Sequence, residues 1–156
     1  MSADRVISDI EYVVNRFGAK GVYFREDNFT LINKRVVDIC EKLLSKNIKV
    51  FWACETRVDT VDENLIKLMK SSGCVGLYVG VEHLSQRMLD IFNKRITVEQ
   101  IVKFFEWTHK YNINTAASLI RNHPEETDTD RSIKYKMLRV INPTMHWDND
   151  FRQELI

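Results

Sequence analysis

Strand-length apolar runs that end in polar residues recur along this chain, and this repeat limits its fold more than any other feature. The runs begin near Val22, Lys49, Val75, Asn114 and Thr144. Amphipathic helical segments separate them at a spacing of about thirty residues, the size of one βα unit. Successive right-handed βα units on a parallel sheet either wind into a barrel or alternate faces in an open sheet. The repeat predicts an α/β fold with parallel strands and leaves both architectures open.

The central repeat shows this pattern most clearly, in the window Cys74–Gln86. Val75 to Val81 is a run of apolar residues and glycine, which is typical of a strand buried on both faces. Glu82 follows the strand, Ser85 is placed to cap the next helix, and Gly73 is placed to end the previous one. Because ligands bind at the carboxyl ends of strands in β/α folds, Glu82 is a candidate functional residue.

Capping residues predict where several helices begin. Thr30 is placed to cap the second helix of the chain. Thr60 with Glu63, and Thr97 with Gln100, have the spacing of a capping box, in which each side chain bonds the other residue's backbone N–H. We therefore expect helices to start after these three threonines.

Composition narrows the class of protein. The chain has 156 residues, of which 44% are hydrophobic, so one globular domain with a sizeable core is expected. Its net charge of +1 gives no electrostatic reason to expect a nucleic acid or an anionic membrane as partner. Apolar runs are too short to span a membrane, and the N-terminus lacks the apolar core of a signal peptide, so a cytoplasmic protein is expected.

The cysteines Cys40, Cys54 and Cys74 are odd in number and widely spaced. Their spacing matches neither a zinc site nor an iron–sulfur motif, so the sequence predicts no metal site from these residues. Free cysteines are among the most buried residue types. We expect three buried thiols in a reducing compartment.

Polar residues follow every predicted strand, and each of them has either a structural or a ligand-binding explanation. Glu26 and Asp27 either form a solvated turn or face a ligand, and Glu82 is either an ordinary surface carboxylate or a ligand-binding residue. Arg57 and Asp59 form either a structural ion pair or a substrate-side pair. Since these positions lie at strand ends, the pattern favours a ligand-binding rim over an inert scaffold.

Two histidines, His83 and His123, lie beside these rim residues. Histidine is a common metal ligand, but histidines are also frequent on protein surfaces. We therefore expect ordinary surface residues here rather than ligands, and we expect Trp52 to belong to the core.

Four rim motifs occur in order on successive strand ends: Glu26-Asp27-Asn28-Phe29-Thr30, Cys54-Glu55-Thr56-Arg57-Val58-Asp59, Gly80-Val81-Glu82 and Pro124-Glu125-Glu126-Thr127. Together they resemble the radical S-adenosylmethionine (radical SAM) enzymes. The likeness is greatest to the cobalamin-associated branch, which includes anaerobic porphyrin cyclases and methyltransferase-like proteins. The resemblance implies a partial (β/α)6 TIM-like barrel of parallel strands that lacks the first strand. It implies a barrel domain at residues 1–147 and a polar tail at residues 148–156.

The resemblance also implies a site for S-adenosylmethionine (SAM) along the rim. Glu26 and Asp27 match the acidic stretch that approaches the methionine amino group, which a carboxylate suits by charge-assisted hydrogen bonding. Glu82 matches the residue that contacts the ribose hydroxyls, and Ser85 is shared with the family. Four residues fall on the family's Gly-x-Ile-x-Gly-x-x-Glu pattern near the adenine: Ser118, Ile120, Asn122 and Glu125.

The chain also departs from the family pattern. The family holds a [4Fe–4S] cluster on a Cys-x-x-x-Cys-x-x-Cys loop, and this sequence contains no such loop. Both glycines of the adenine pattern are replaced, by Ser118 and Asn122, and Arg121 adds a charge at a usually apolar place. The cluster is therefore expected in the intact parent enzyme only.

Three functions remain open at this point. The first is a fragment or shortened member of the radical SAM superfamily, whose intact relatives reductively cleave SAM and act on a small-molecule substrate. The second is a non-catalytic βα-barrel that binds a partner or acts as a scaffold. The third is a cluster-independent βα-barrel enzyme that uses the rim acids Glu26, Asp27, Glu55 and Glu82. An exposed sheet edge near Val22 also predicts self-association.

Overall fold

Five parallel strands form one sheet in chain order, β1-β2-β3-β4-β5. The computed structural model describes residues 1–151. The strands are β1 Gly21–Phe24, β2 Phe51–Thr56, β3 Cys74–Glu82, β4 Asn114–Arg121 and β5 Met145–Asp150. A doubly wound open sheet reverses its strand order at a switch point, whereas this order advances without reversal. The structure therefore selects the barrel winding, and the predicted α/β partial TIM-like barrel is confirmed.

Helices precede and connect the strands, and all but the short fourth helix pack beside one another in chain order. In the described part of the chain they are α1 Ala3–Phe17, α2 Asn33–Ser45, α3 Glu63–Ser71, α4 Gln86–Ile91, α5 Val98–Lys110 and α6 Asp128–Ile141. Their apolar stripes meet one face of the sheet, where Trp52 and Leu119 are almost completely buried. Among residues 1–151, no helix has the length and apolar character needed to cross a bilayer.

The two faces of the sheet differ in burial. On β3, Leu77, Val79 and Val81 are buried under the helices, whereas Tyr78, which points to the other face, is 39% exposed. The expectation that β3 is buried on both faces is therefore wrong. Because the helices cover one face, the alternate strand residues form an open face in the described chain.

The predicted helix starts are partly confirmed. Thr97 accepts the capping bond at the start of α5 within a complete capping box. The expected cap at Thr60 is wrong, because Asp62 accepts from the backbone of α3 instead. The cap expected from Thr30 is also wrong, since α2 begins later, at Asn33, without a side-chain cap. The hydroxyls of Thr30 and Thr60 bond each other at 2.6 Å, because the segments that follow β1 and β2 meet there.

The last strand extends further than the sequence indicated. β5 continues to Asp150, so the expected domain boundary at residue 147 falls inside this strand. Asp148 and Asp150 pair with Leu119 and Arg121 of β4, which keeps this polar segment in the sheet. The rest of the predicted tail, residues 152–156, lies outside the described residues.

One edge of the sheet is formed by β1. This strand pairs with β2 on one side, and within residues 1–151 no strand pairs with its other side. A free edge offers backbone N–H and C=O groups to a strand of another molecule. Edge pairing between copies of the chain therefore stays a prediction.

We expect the average mass of the wild-type protein to rise with concentration, and Gly21→Lys to weaken this rise. Lysine on an edge strand opposes pairing, and a Cβ at Gly21 meets its nearest neighbour, the Phe51 carbonyl oxygen, at an ordinary 3.5 Å. Static light scattering over a concentration series measures the effect. Ser45→Lys adds the same charge at the exposed end of α2 and serves as the control. A wild-type protein that stays monomeric throughout would contradict the prediction.

Candidate ligand-binding site

A groove of about 320 Å³ lies at the carboxyl ends of the strands on the open face of the sheet. We call it the rim groove. Its lining includes three predicted site residues, Asp27, Glu82 and Ser118, together with Glu55 and Tyr78. Its volume lies at the lower end of the range usual for small-molecule sites. The parallel strands thus bring rim residues that are distant in sequence to one place.

Glu82 reaches the rim groove through an unusual backbone turn. Its φ is 63°, in the left-handed region, and the N–H of His83 donates to the carbonyl of Val81 at 2.8 Å across it. Such three-residue turns are strained, and strained residues cluster at functional sites. A Cβ at Gly80 would lie 2.6 Å from Glu82 Oε1, so the carboxylate occupies the space that glycine leaves.

Two cations of the rim groove are already paired with carboxylates. Lys94 Nζ lies 2.6 Å from Glu82 Oε1, and both side chains are at most 20% exposed. Arg57 donates two bonds of 2.9 Å to Asp59, as the structural alternative for this pair predicted. Burial favours the protonated form of Asp59, but Arg57 outweighs it and lowers the pKa of this carboxyl. Lys94 was missed, because a loop lysine twelve positions after its partner resembles any surface lysine.

Glu26 does not line the rim groove. Its carboxylate accepts two bonds from the Arg35 guanidinium of α2, at 2.5 and 2.8 Å. The hydrogen bond from Arg35 holds the pKa of Glu26 below its usual value. Of the two acids expected near the methionine amino group, only Asp27 therefore faces the groove.

Ser85 also lies away from the rim groove. It occupies the cap position of α4, but its hydroxyl donates to Asp130 at 2.6 Å instead of capping that helix. Arg87 binds the same carboxylate and, more than any other group, lowers the pKa of Asp130. The structure thus places Ser85 in a buried contact between the end of β3 and the start of α6.

The residues of the predicted adenine pattern lie along the end of β4. Ser118 lines the rim groove and accepts a bond from Asn149 at 2.7 Å, and Ile120 is half-buried two residues further on the same face. Asn122 stands where the family pattern has glycine, and its φ of 62° is left-handed, a conformation that asparagine tolerates. Glu125 is exposed and bonds through its main chain to His123 and Arg87.

A buried carboxylate, Glu126, joins the turns that follow β3 and β4. Its side chain is 1% exposed. It accepts from the Asn122 N–H at 3.1 Å, and it lies 3.2 Å from both His83 Nε2 and Lys134 Nζ. Burial opposes its ionisation, but His83 and Lys134 outweigh burial and lower the pKa of Glu126. We name His83, Glu126 and Lys134 the buried triad.

The expectation that His83 is a surface histidine is wrong. Its side chain is fully buried, and this burial lowers its pKa. Its Nδ1 accepts from the Ser85 N–H at 2.9 Å, which fixes the orientation of the ring. Sequence reasoning also missed Glu126 and Lys134, because adjacent glutamates look alike in sequence and an amphipathic helix gives no sign of a buried lysine.

We expect Lys134→Met to lower the free energy of unfolding by about 3–5 kcal/mol, because it leaves the buried carboxylate of Glu126 and the half-buried carboxylate of Asp148 without their cation. Chemical denaturation at neutral pH measures the loss. Lys136→Met on the exposed side of the same helix is the matched control and should change stability by no more than about 0.5 kcal/mol. Equal effects of the two substitutions would show that the buried triad contributes little.

The residues present do not fit an iron–sulfur cluster. Cys40, Cys54 and Cys74 are free and buried in the core under the helices. Burial raises the pKa of Cys40 to about 11 and that of Cys74 to about 12, so these thiols are protonated at neutral pH. Cluster iron binds thiolates, and in residues 1–151 no group of three potential metal ligands converges.

Proteins similar in sequence to this chain include a methyltransferase and a cyclase. A methyltransferase of otherwise uncharacterised function from Pyrococcus horikoshii is 32% identical over 136 residues, covering 86% of this chain and 30% of the relative. The anaerobic magnesium-protoporphyrin IX monomethyl ester cyclase of Rubrivivax gelatinosus is 29% identical over 143 residues, covering 90% and 26%. The chain therefore spans less than a third of the length of each of these relatives.

Solved structures share the fold. TsrM from Kitasatospora setae, a radical S-adenosylmethionine methyltransferase solved with cobalamin and a [4Fe–4S] cluster, superposes with a TM-score of 0.86 at 14% identity. The match covers 96% of this chain and 31% of TsrM. Coproporphyrinogen III oxidase from Escherichia coli superposes with a TM-score of 0.73 at 16% identity. At these identities the likeness supports the fold alone.

The sequence model of the radical SAM superfamily matches residues 1–135. These residues include α1 to α5, β1 to β4 and the rim groove described above. Matched residues make up most of the chain, and the strand order agrees with the barrel fold of the solved relatives. This chain belongs to the radical SAM superfamily.

Proposed function

We propose that this chain is the SAM-binding barrel portion of a radical SAM enzyme and that residues 1–151 do not perform the radical reaction by themselves. The observation that carries the proposal is a polar groove at the carboxyl ends of parallel strands, in a chain of this superfamily. The cluster that starts the reaction in the family has no ligand set in the described chain. The proposed role of these residues is therefore to bind and orient SAM.

The ribose, the ammonium and the adenine of SAM each have proposed partners in the rim groove or beside it at the end of β4. We propose that Glu82 accepts hydrogen bonds from the ribose hydroxyls once Lys94 is displaced from it. Asp27 would bind the methionine ammonium by a charge-assisted bond. Ser118, Ile120 and Asn122 would lie along the adenine.

The remaining predicted contacts receive indirect roles in this proposal. Glu26 holds α2 through Arg35, and Ser85 holds α6 through Asp130, so both would shape the rim without contacting SAM. Glu125 would contribute its main chain, which bonds Arg87. The substrate of the whole protein is proposed to be a small molecule, in line with the tryptophan substrate in a structure of TsrM.

The cluster-independent enzyme is the weaker alternative. It needs several rim carboxylates free to bind a metal ion or to exchange protons. Glu26 is paired with Arg35 and Glu82 with Lys94, so two of its four acids are already neutralised. No comparable observation favours a purely scaffolding role over SAM binding.

The isolated chain should not assemble a [4Fe–4S] cluster, because its three thiols are buried and dispersed among core elements. Anaerobic reconstitution followed by iron and sulfide analysis and visible spectroscopy tests this. A radical SAM enzyme that contains its cysteine loop, treated in parallel, is the positive control. A stoichiometric cluster with its visible absorption would overturn the prediction.

S-Adenosylhomocysteine (SAH) should bind weakly, with a Kd near the millimolar range. The substitution Glu82→Gln should weaken this binding further. A hydrogen bond to a charged group contributes about 1.5–3 kcal/mol, and Ser118 and Asn122 replace the two glycines of the family's adenine pattern. Calorimetric titration measures the Kd of SAH for the wild-type protein and for the variant. Since His83 is fully buried, substituting it would disturb the fold, and Glu106→Gln on the exposed side of α5 is the better control. Micromolar binding that survives Glu82→Gln would place the ligand elsewhere.

A further inference from the structure

The charges of the rim groove are not all balanced within it. Its two cations, Lys94 and Arg57, are each bonded to a carboxylate other than Glu55. Across residues 1–151, no cation is paired with Glu55, whose hydrogen-bond partner is the Tyr23 hydroxyl at 3.2 Å. Glu55 thus presents a negative charge that the protein leaves open to a ligand.

Two aromatic rings flank this carboxylate. Tyr78 stands directly opposite Glu55 in the register of β2 with β3, and Tyr23 reaches it from β1. Both side chains are partly exposed, 46% for Tyr23 and 39% for Tyr78, and the Tyr78 ring also packs against Trp147 with the ring centroids 4.4 Å apart. Tyr23 is held in place by its bond to Glu55, and burial, with the Glu55 charge second, raises its pKa to about 12, so it stays a neutral donor.

A carboxylate between aromatic rings is suited to a particular class of cation. Ring faces attract cations electrostatically, most effectively those that are weakly hydrated, such as quaternary ammonium groups. A trialkylsulfonium has the same character, because its charge is spread over alkyl groups that cannot donate conventional hydrogen bonds. A primary ammonium is better served by hydrogen-bond acceptors, which Asp27 supplies elsewhere in the groove.

We propose that Glu55, together with the rings of Tyr23 and Tyr78, recognises the sulfonium of SAM and makes the rim groove select SAM over SAH. This inference rests on the proposed function of the groove as a SAM site. The two ligands share the adenosine, the ammonium and the carboxylate, and they differ in the methyl group that gives the sulfur its charge. Glu55 is thereby a specificity-determining residue that acts on charge and leaves the shared parts of the ligand to other residues.

Titration of the full chain with SAM and with SAH, followed by NMR chemical shifts, tests the inference. The wild-type protein should prefer SAM by about 5-fold, the factor that about 1 kcal/mol of cation recognition gives at a partly exposed site. Glu55→Gln should bring the two Kd values within about 2-fold of each other, because it should weaken the binding of SAM and leave the binding of SAH unchanged. Tyr78→Leu should reduce the preference in part, whereas Tyr23→Phe, which keeps the ring, should retain most of it.

Glu106→Gln removes an exposed carboxylate from α5 and should leave the preference unchanged, which separates a local effect from one of net charge. The preference should also shrink at high ionic strength. If SAH binds and SAM is not preferred, or if the preference survives Glu55→Gln, the inference is wrong and the proposed SAM site stands. If neither ligand binds the wild-type protein, the proposed function fails and the inference fails with it.

Discussion

The buried carboxylate of Glu126 holds together the part of the rim on which the candidate site depends. It bonds the backbone that follows β4 through Asn122 and the turn that follows β3 through His83. Lys134 neutralises it from α6, where neither charge has access to water. Leaving one buried charge of such a group without its partner costs folding free energy. The two turns and α6 are therefore expected to move and unfold together. The turn that presents Glu82 is one of the segments held this way.

The one-sided helix layer decides where a ligand has access. Helices bury alternate strand residues such as Leu77 and Val79, and the intervening residues form the open face. On β3 these intervening residues include Gly80, whose lack of a side chain makes room for the Glu82 carboxylate. The groove thus results from strand alternation combined with a glycine at the position where a side chain would fill it.

Charge pairing divides the acids of the rim into two groups. Glu26 and Glu82 are neutralised by Arg35 and Lys94, whereas Glu55, like Asp27, has no cation partner in the described chain. A paired acid must exchange its partner before it can bind a ligand, but an unpaired acid needs no such step. This difference gives Glu55 a proposed role that the family motifs did not assign to it.

The sequence by itself determined the order of the strands and the parallel α/β class. Apolar runs and unit spacing predicted each strand found in residues 1–151 and the parallel class, because periodicity and length are local properties. The rim motifs also identified the family, since their order along the chain can be read without a structure. Local pattern could not decide whether Thr60 or Asp62 caps α3, because both types are good caps and the choice depends on what else each hydroxyl or carboxylate meets.

Only the tertiary structure decided which polar side chains share a site. Glu26 and Asp27 are adjacent in sequence, yet one bonds α2 and the other lines the groove, since neighbouring side chains point in different directions. Glu125 and Glu126 divide in the same way into an exposed and a buried residue. Pairing with Arg35, Lys94 or Lys134 is set by distances between elements far apart in the chain. A sequence lists the charges, and the packing of the fold determines which of them meet.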